Sequence, residues 1–250
     1  MQNVSTETNH AGEEAYGQKV LLIIPAYNEA ENLPRVVEDI VSQHAGLDYV
    51  IVSDGSTDNT VALCKERGYH YIALPINLGL AGCFQTGMKY AYQKGYGAAI
   101  QFDGDGQHRA EDIPALKQKL QEGNFDIVLG SRFLLHKKGA SMREIGSRLI
   151  TAAIRLTTGQ TVTDPTCGLR LYSRSVIDSF ANRLNYGPEP DTISYLIKNG
   201  ARIAEVPVKI NDRTAGESYL RPAAAVRYMS RMLISILIIQ NFRGARKCNE

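Results

Sequence analysis

The feature that most constrains the fold is an alternation of short apolar runs with amphipathic stretches through the first half of the chain. Val20-Leu21-Leu22-Ile23-Ile24, Tyr49-Val50-Ile51-Val52, Tyr71-Ile72-Ala73-Leu74, Ala98 to Phe102 and Asp126-Ile127-Val128-Leu129 read as strands. Between them, Glu31 to Gln43 has helical spacing (Leu33, Val36, Val37, Ile40, Val41), and Thr57 through Lys65, Ala81 to Lys94 and Ile113 to Glu122 also read as helices. Strands that are apolar throughout are covered on both faces, which is the habit of parallel sheets with helical crossovers. The expected fold class is α/β, with a Rossmann-like, mainly parallel sheet and helices on both faces. A length of 250 residues suits one such domain plus an appendage. With 44% hydrophobic and 22% charged residues, the composition is that of an ordinary globular protein.

Ligands of such sheets bind beyond the carboxyl ends of the strands. Three polar clusters sit there: Pro25 to Glu29, Ser53 to Asp58 and Asp103 to His108, which together describe one crevice. In the third, two carboxylates one residue apart, Asp103 and Asp105, are followed by Gln107 and His108, with no internal cation to neutralise them. Oxygen donors in this arrangement suit Mg²⁺ or Mn²⁺, often shared with a phosphate-bearing substrate. Asp-Gly is also plain turn chemistry, and His108 reads equally as a ligand or as a turn histidine. No Walker A sequence is present, and no G-x-G-x-x-G follows a strand. Asn77 to Gly82 leads into a helix, where backbone N–H groups can meet an anion; an ordinary helix start reads the same way.

These pieces resemble a known family. P-A-Y-N-E at 25–29, S-D-G-S-T-D at 53–58 and D-G-D-G-Q-H at 103–108 resemble, in order and spacing, the family 2 glycosyltransferases of the GT-A fold, over about Lys19 to Leu220. Within that family the chain looks most like the polyprenyl-phosphate sugar transferases of the dolichol-phosphate mannosyltransferase type. The narrower likeness rests on Gly130-Ser131-Arg132, Arg143 with Ser147-Arg148, Asp164 to Arg170, and Arg213-x-x-Gly216-x-Ser218.

The resemblance implies inverting transfer of a sugar from a UDP- or GDP-sugar to a polyprenyl phosphate. Pro25, Ala26, Tyr27, Glu29 and Asp54 would line the nucleoside pocket; a capping and turn role for Asp54 is compatible with this. Asp103, at the diphosphate, would hold Mg²⁺ or Mn²⁺ with Asp105 and Gln107. Asp105 and Arg213 would stabilise charge building on the leaving diphosphate, Arg213 from a mobile loop between Lys209 and Leu220. Arg132, Arg143 and Arg148 would dock the acceptor phosphate. A lipid phosphate is already anionic and needs no base, whereas a hydroxyl acceptor does. Glu189 or Asp191 would supply that base, or Glu189 would bind sugar hydroxyls. The run Gly187-Pro188-Glu189-Pro190-Asp191 departs from the mannosyltransferase pattern. Two other readings are a glycosyltransferase acting on a polysaccharide or glycolipid hydroxyl and a nucleotide-sugar-binding scaffold. A nucleotidyltransferase ranks lower, because no basic, Gly-rich phosphate loop follows the first strand.

The two ends read differently from the middle. Residues 1–18 are polar and acidic, with no apolar leader core, and suggest a disordered arm before a catalytic domain at 19–218. Residues 219–250 are basic, with Arg221, Arg227, Arg231, Arg243, Arg246 and Lys247 against Glu250. The apolar run Met232 to Ile239 is shorter than the roughly 20 residues that span a bilayer. It suits an amphipathic helix on an anionic membrane surface, or one packed on the core or between copies of the chain. Four scattered cysteines without C-x-x-C spacing fit a reducing cytosol. The expected location is the cytosolic membrane face. A membrane-protein partner and a homo-oligomer are both open, and no nucleic-acid partner is expected.

Overall fold

The computed structural model describes residues 19–135, 138–139, 141–211 and 222–242. Strands β1 (Val20–Ala26), β2 (Asp48–Ser53), β3 (Tyr71–Ala73), β4 (Ala98–Gln101), β5 (Ile127–Ser131), β6 (Arg170–Ser173) and β7 (Ile203–Pro207) form one sheet in the order β3-β2-β1-β4-β6-β5-β7. All pairings are parallel except those of β6, which runs antiparallel to both β4 and β5.

The β1 sequence explains why its apolar run is continuous. Successive side chains point to opposite faces of a strand. Leu21 and Ile23 join one core cluster, with Phe84, Ile150 and Ile177. Leu22 and Ile24 join the other, with Leu33, Ile40 and Leu116. The helices divide accordingly. α1 (Leu33–Gln43) and α4 (Ile113–Glu122) cover one face, where α2 (Thr60–Glu66) also places Cys64. α3 (Gly79–Gln93), α5 (Met142–Thr158), α6 (Arg174–Asn182) and α7 (Pro190–Lys198) cover the other. Val41, which the spacing assigned to the apolar face of α1, is 50% exposed.

Helix α5 has clear start and stop signals. Ser141 and Glu144 form a reciprocal capping box, and Gly159 closes the helix in the left-handed conformation at φ 74°. Helix α8 (Pro222–Ile234), one π-helical turn (Ser235–Ile239) and α9 (Gln240–Phe242) follow β7 in the described chain. Met232 and Ile236 are fully buried in the core cluster that contains Ile150 and Ile193, while Ile234, Ile238 and Phe242 are exposed. Among the described residues, 222–242 therefore pack on the core along one side. No helix among the described residues is long and apolar enough to cross a membrane.

Candidate active site

Strands β1, β2 and β4 are parallel neighbours, so their carboxyl ends emerge together, as the sequence implied. The loop after β1 is locked to the loop after β2 by Asn28. Its φ of 57° makes it the lone non-glycine residue in the left-handed region among those described. The Asn28 amide N–H donates to Ser56 Oγ (3.1 Å), and its Oδ1 accepts from the backbone of Thr57 (2.8 Å) and Asp58 (3.3 Å). Glu29 N–H donates to Thr60 Oγ1 at 3.0 Å, and its carboxylate accepts from Asn32 Nδ2 at 2.6 Å. Asn28 belongs to the first motif, but its own role was not readable from sequence because it depends on contacts some thirty positions away.

Asp54 is buried at the end of β2. Its N–H donates to Ala26 O (2.8 Å), and its Oδ1 accepts the Leu78 N–H (2.7 Å) at the start of α3. The capping role is therefore present. The Gly79 N–H is taken by Asn77 Oδ1 at 3.0 Å. Two amides at this helix start are thus already bonded, which reduces its capacity to bind an anion. Gly55 follows Asp54 at φ 63°, and a Cβ there would sit 2.5 Å from the Ile76 carbonyl carbon. Only glycine fits such a turn.

Asp103 lies just past β4. Its Oδ1 accepts from Gln101 Nε2 (3.1 Å), and its Oδ2 meets His108 Nε2 at 3.2 Å. Burial works against its charge, but the His108 and Gln101 hydrogen bonds and the Arg170 guanidinium outweigh it. The carboxyl is held below the ordinary carboxylate range. An ionised carboxylate only accepts, so His108 Nε2 carries the proton facing it, and Nδ1 is buried without a partner. His108 also meets the Phe102 ring edge-on at 5.8 Å between centroids. These contacts make His108 a buttress for Asp103. Asp105 Oδ1 accepts the Gln107 N–H at 3.0 Å. The Gln107 carbonyl accepts the Asn211 N–H at 2.9 Å, which pins the segment leading to Arg213 against this loop. Arg213 itself lies outside the described residues.

Because β6 runs backwards, its first residues arrive at the same rim. Gly168 packs against the acidic loop so closely that a Cβ would overlap Asp103 Oδ2 and lie 2.9 Å from His108 Nε2. Arg170 is buried, and its guanidinium donates to the carbonyls of Cys167 (2.8 Å), Pro188 (2.6 Å) and Pro165 (2.9 Å). It ties the 165–167 turn to the Glu189 turn. Glu189 begins α7, and its Oε1 is 2.6 Å from Arg231 Nη2 on α8. Burial pushes the Glu189 carboxyl upward, partly offset by Arg231. Asp191 is buried, and its Oδ2 accepts the Ser235 hydroxyl at 2.6 Å, so this carboxylate anchors the C-terminal segment.

The three arginines assigned to the acceptor phosphate are differently placed. Arg132 makes a bidentate pair with buried Asp164, Nε to Oδ2 at 2.6 Å and Nη2 to Oδ1 at 2.8 Å. Arg148 Nη2 donates to the carbonyls of Lys138 and of Gly139, the latter at 2.8 Å. The Arg143 backbone lies in the first turn of α5. Sequence reading missed Lys138, whose ammonium reaches Ser147 Oγ (2.8 Å) and Thr151 Oγ1 (3.2 Å). Burial lowers its pKa.

Asp103, Asp105 and Gln107 offer an all-oxygen donor set of the kind Mg²⁺ and Mn²⁺ prefer. Among the described residues no three His, Cys, Asp or Glu side chains form a closed cage. Such a set fits an ion that shares its coordination with a phosphate ligand.

An α/β sheet with one reversed strand and an acidic loop at the strand ends is the architecture of a glycosyltransferase. The profile of Glycosyl transferase family 2 matches residues 21–180, and the chain belongs to that family of glycosyltransferases. It is 29% identical over 217 residues to a polyprenol monophosphomannose synthase of Mycolicibacterium smegmatis, covering 80% of both chains. It is 32% identical over 213 residues to a UDP-N-acetylglucosamine–dolichyl-phosphate N-acetylglucosaminyltransferase of Methanococcus voltae, covering 76% of this chain and 84% of that one. The fold is GT-A-like. It resembles glucosyl-3-phosphoglycerate synthase from Mycobacterium tuberculosis, seen in complex with Mn²⁺, UDP and phosphoglyceric acid, with TM-score 0.66 and 21% identity over 90% of this chain and 78% of that one.

Proposed function

We propose that the chain transfers a sugar, with inversion, from a nucleotide-sugar donor to a polyprenyl phosphate at the cytosolic face of a membrane. The observation that carries this reading is the convergence of Glu29, Asp54 and the Asp103–Asp105 pair at the ends of the adjacent strands β1, β2 and β4, with Asp103 held ionised by His108 and Gln101. Relatives named for polyprenyl- and dolichyl-phosphate acceptors support the acceptor class.

Pro25, Ala26, Tyr27, Glu29 and Asp54 would take the nucleoside. Asp103, Asp105 and Gln107 would hold Mg²⁺ or Mn²⁺, which when bound neutralises charge on the diphosphate. In the transfer, the bond from sugar C1 to the diphosphate oxygen breaks. A new bond forms from C1 to an acceptor phosphate oxygen on the opposite face. The attacking oxygen carries no proton, so no base is needed. Arg213 would face the leaving diphosphate. Arg132, preset by Asp164, would face the acceptor phosphate with Arg143 and Arg148. The Arg231 pairing of Glu189 favours a sugar-holding or loop-fixing role for that carboxylate over a base. Labelled nucleotide sugar incubated with a short polyprenyl phosphate and Mn²⁺ should yield a lipid-linked product that chelator abolishes. A product formed only with hydroxyl acceptors would overturn the lipid-phosphate reading.

A further inference from the structure

We infer that the outer face of α5, together with Leu134 and Leu135, is the surface on which the chain lies against an anionic lipid bilayer. A helix on a soluble domain normally turns its apolar stripe inward. On α5, Met142 is 72% exposed, Ile145 40%, Leu149 51% and Leu156 80%, and Ala152 is exposed between them. Their spacing of three and four keeps them in one stripe. The inward face is a separate set, with Ser147, Ile150, Ala153 and Ile154 buried. Leu134 and Leu135, 42% and 72% exposed, add to the outer apolar surface.

The charges on this face are cationic. Arg148 and Arg155 are its exposed ionisable residues on α5 among the side chains described. The helix's acidic residue, Glu144, is taken up by the Ser141 and Gly139 amides. A groove of about 760 Å³ opens between Leu134–Leu135 and α5, lined by Phe133, Lys138, Thr151 and Arg155 as well. It is mainly apolar with cations at its edge, matching acyl or isoprenoid chains below an anionic headgroup. Helix α8 packs beside α5 and carries Arg227 and exposed Val226 and Ile234. A second copy would be a poorer occupant: a two-fold contact through this face would bring the same arginines together, whereas anionic headgroups neutralise them.

The inference rests on the lipid-acceptor reading for its choice of a bilayer, but its test does not. The full chain is floated with vesicles of phosphatidylcholine alone and of phosphatidylcholine with phosphatidylglycerol. The wild type should bind the anionic vesicles, and more weakly in high salt. The double variant L149E/L156E changes two exposed side chains, so its thermal denaturation should match the wild type. Its vesicle-bound fraction should fall at least about tenfold, with transfer to a short, water-soluble polyprenyl phosphate retained. Equal flotation of the variant, or no flotation of the wild type, would overturn the inference. A wild-type dimer that becomes monomeric in the variant, with neither binding vesicles, would also overturn it and assign the face to a second copy. Failure of transfer with flotation intact would sink the acceptor reading and leave the docking surface standing.

Discussion

Replacing Gly168 with alanine tests the closest approach in the site. Gly168 is not among the glycines with positive φ, so backbone strain is not at issue; the added methyl simply has no room beside Asp103 Oδ2. Two reliefs exist. Asp103, whose side chain is 35% exposed, can swing outward and give up His108. Alternatively the 167–169 backbone retreats, straining the Gly130–Leu169 hydrogen bond of 2.9 Å and the Arg170–Cys167 bond of 2.8 Å. Losing one hydrogen bond to a charged group costs about 1.5–3 kcal/mol, so the variant should fold with a modest loss measured by denaturant unfolding. Function should suffer more. A misplacement of about 1 Å at a reacting site can cost about 10²-fold. The kcat/KM for transfer from nucleotide sugar should fall by about that factor, and the Mn²⁺ concentration needed for half-maximal rate should rise. Wild-type turnover with unchanged Mn²⁺ dependence in G168A would refute the argument that Gly168 sets the Asp103 position.

Three other outcomes are expected. Arg170→Met leaves three buried carbonyls without their donor, so chemical denaturation should show a loss above about 3 kcal/mol, at about 1–3 kcal/mol for each group; Arg170→Lys should recover only part of it. Glu189 has a raised carboxyl pKa in the fold, so its contribution to stability is complete below the unfolded value of about 4.3 and is lost as the pH rises through the folded value. Melting curves from about pH 4 to about pH 8 should therefore show the wild type losing ground to E189Q as the pH rises, and a severe loss of transfer in E189Q would show that the carboxylate acts on substrate. Cys83 and Cys167 are buried with thiols pushed up to about 12 by desolvation, and Cys64 is buried and raised as well. In a C248S background a thiol reagent at about pH 8 should leave the native chain unmodified and react with three thiols after denaturation.

Much of the crevice at the ends of β1, β2 and β4 was legible in sequence, for a physical reason. Strands β1, β2 and β4 are covered on both faces, so their composition alone marks them, and their polar ends follow directly. Strand β6 was not legible: it is four residues long and begins with a buried arginine, a residue type that composition assigns to the surface. Gly168 and Asn28 were given no role of their own from the sequence because their contacts, to Asp103 and to Ser56–Asp58, are made far along the chain. Helix α5 reverses the usual rule. Its helical pattern of Met142, Ile145, Leu149 and Leu156 resembles a core stripe, yet these side chains face outward. Periodicity finds a stripe without saying what covers it. The arginine pattern was visible, whereas the Asp164 pairing of Arg132 required the fold.

The reversal of β6 has an architectural result. Leu129 lies opposite Arg170, so the chain leaves the sheet after Ser131 and returns at Arg170 along the same edge of the crevice. Everything between them, including α5 and the Asp164 turn, is a single excursion with both feet planted side by side. Strands β1 to β4, which carry the three strand-end clusters, are complete before it begins. Such an excursion can be lengthened or rewritten as a self-contained cassette, leaving the β1–β4 scaffold and its strand-end clusters in place.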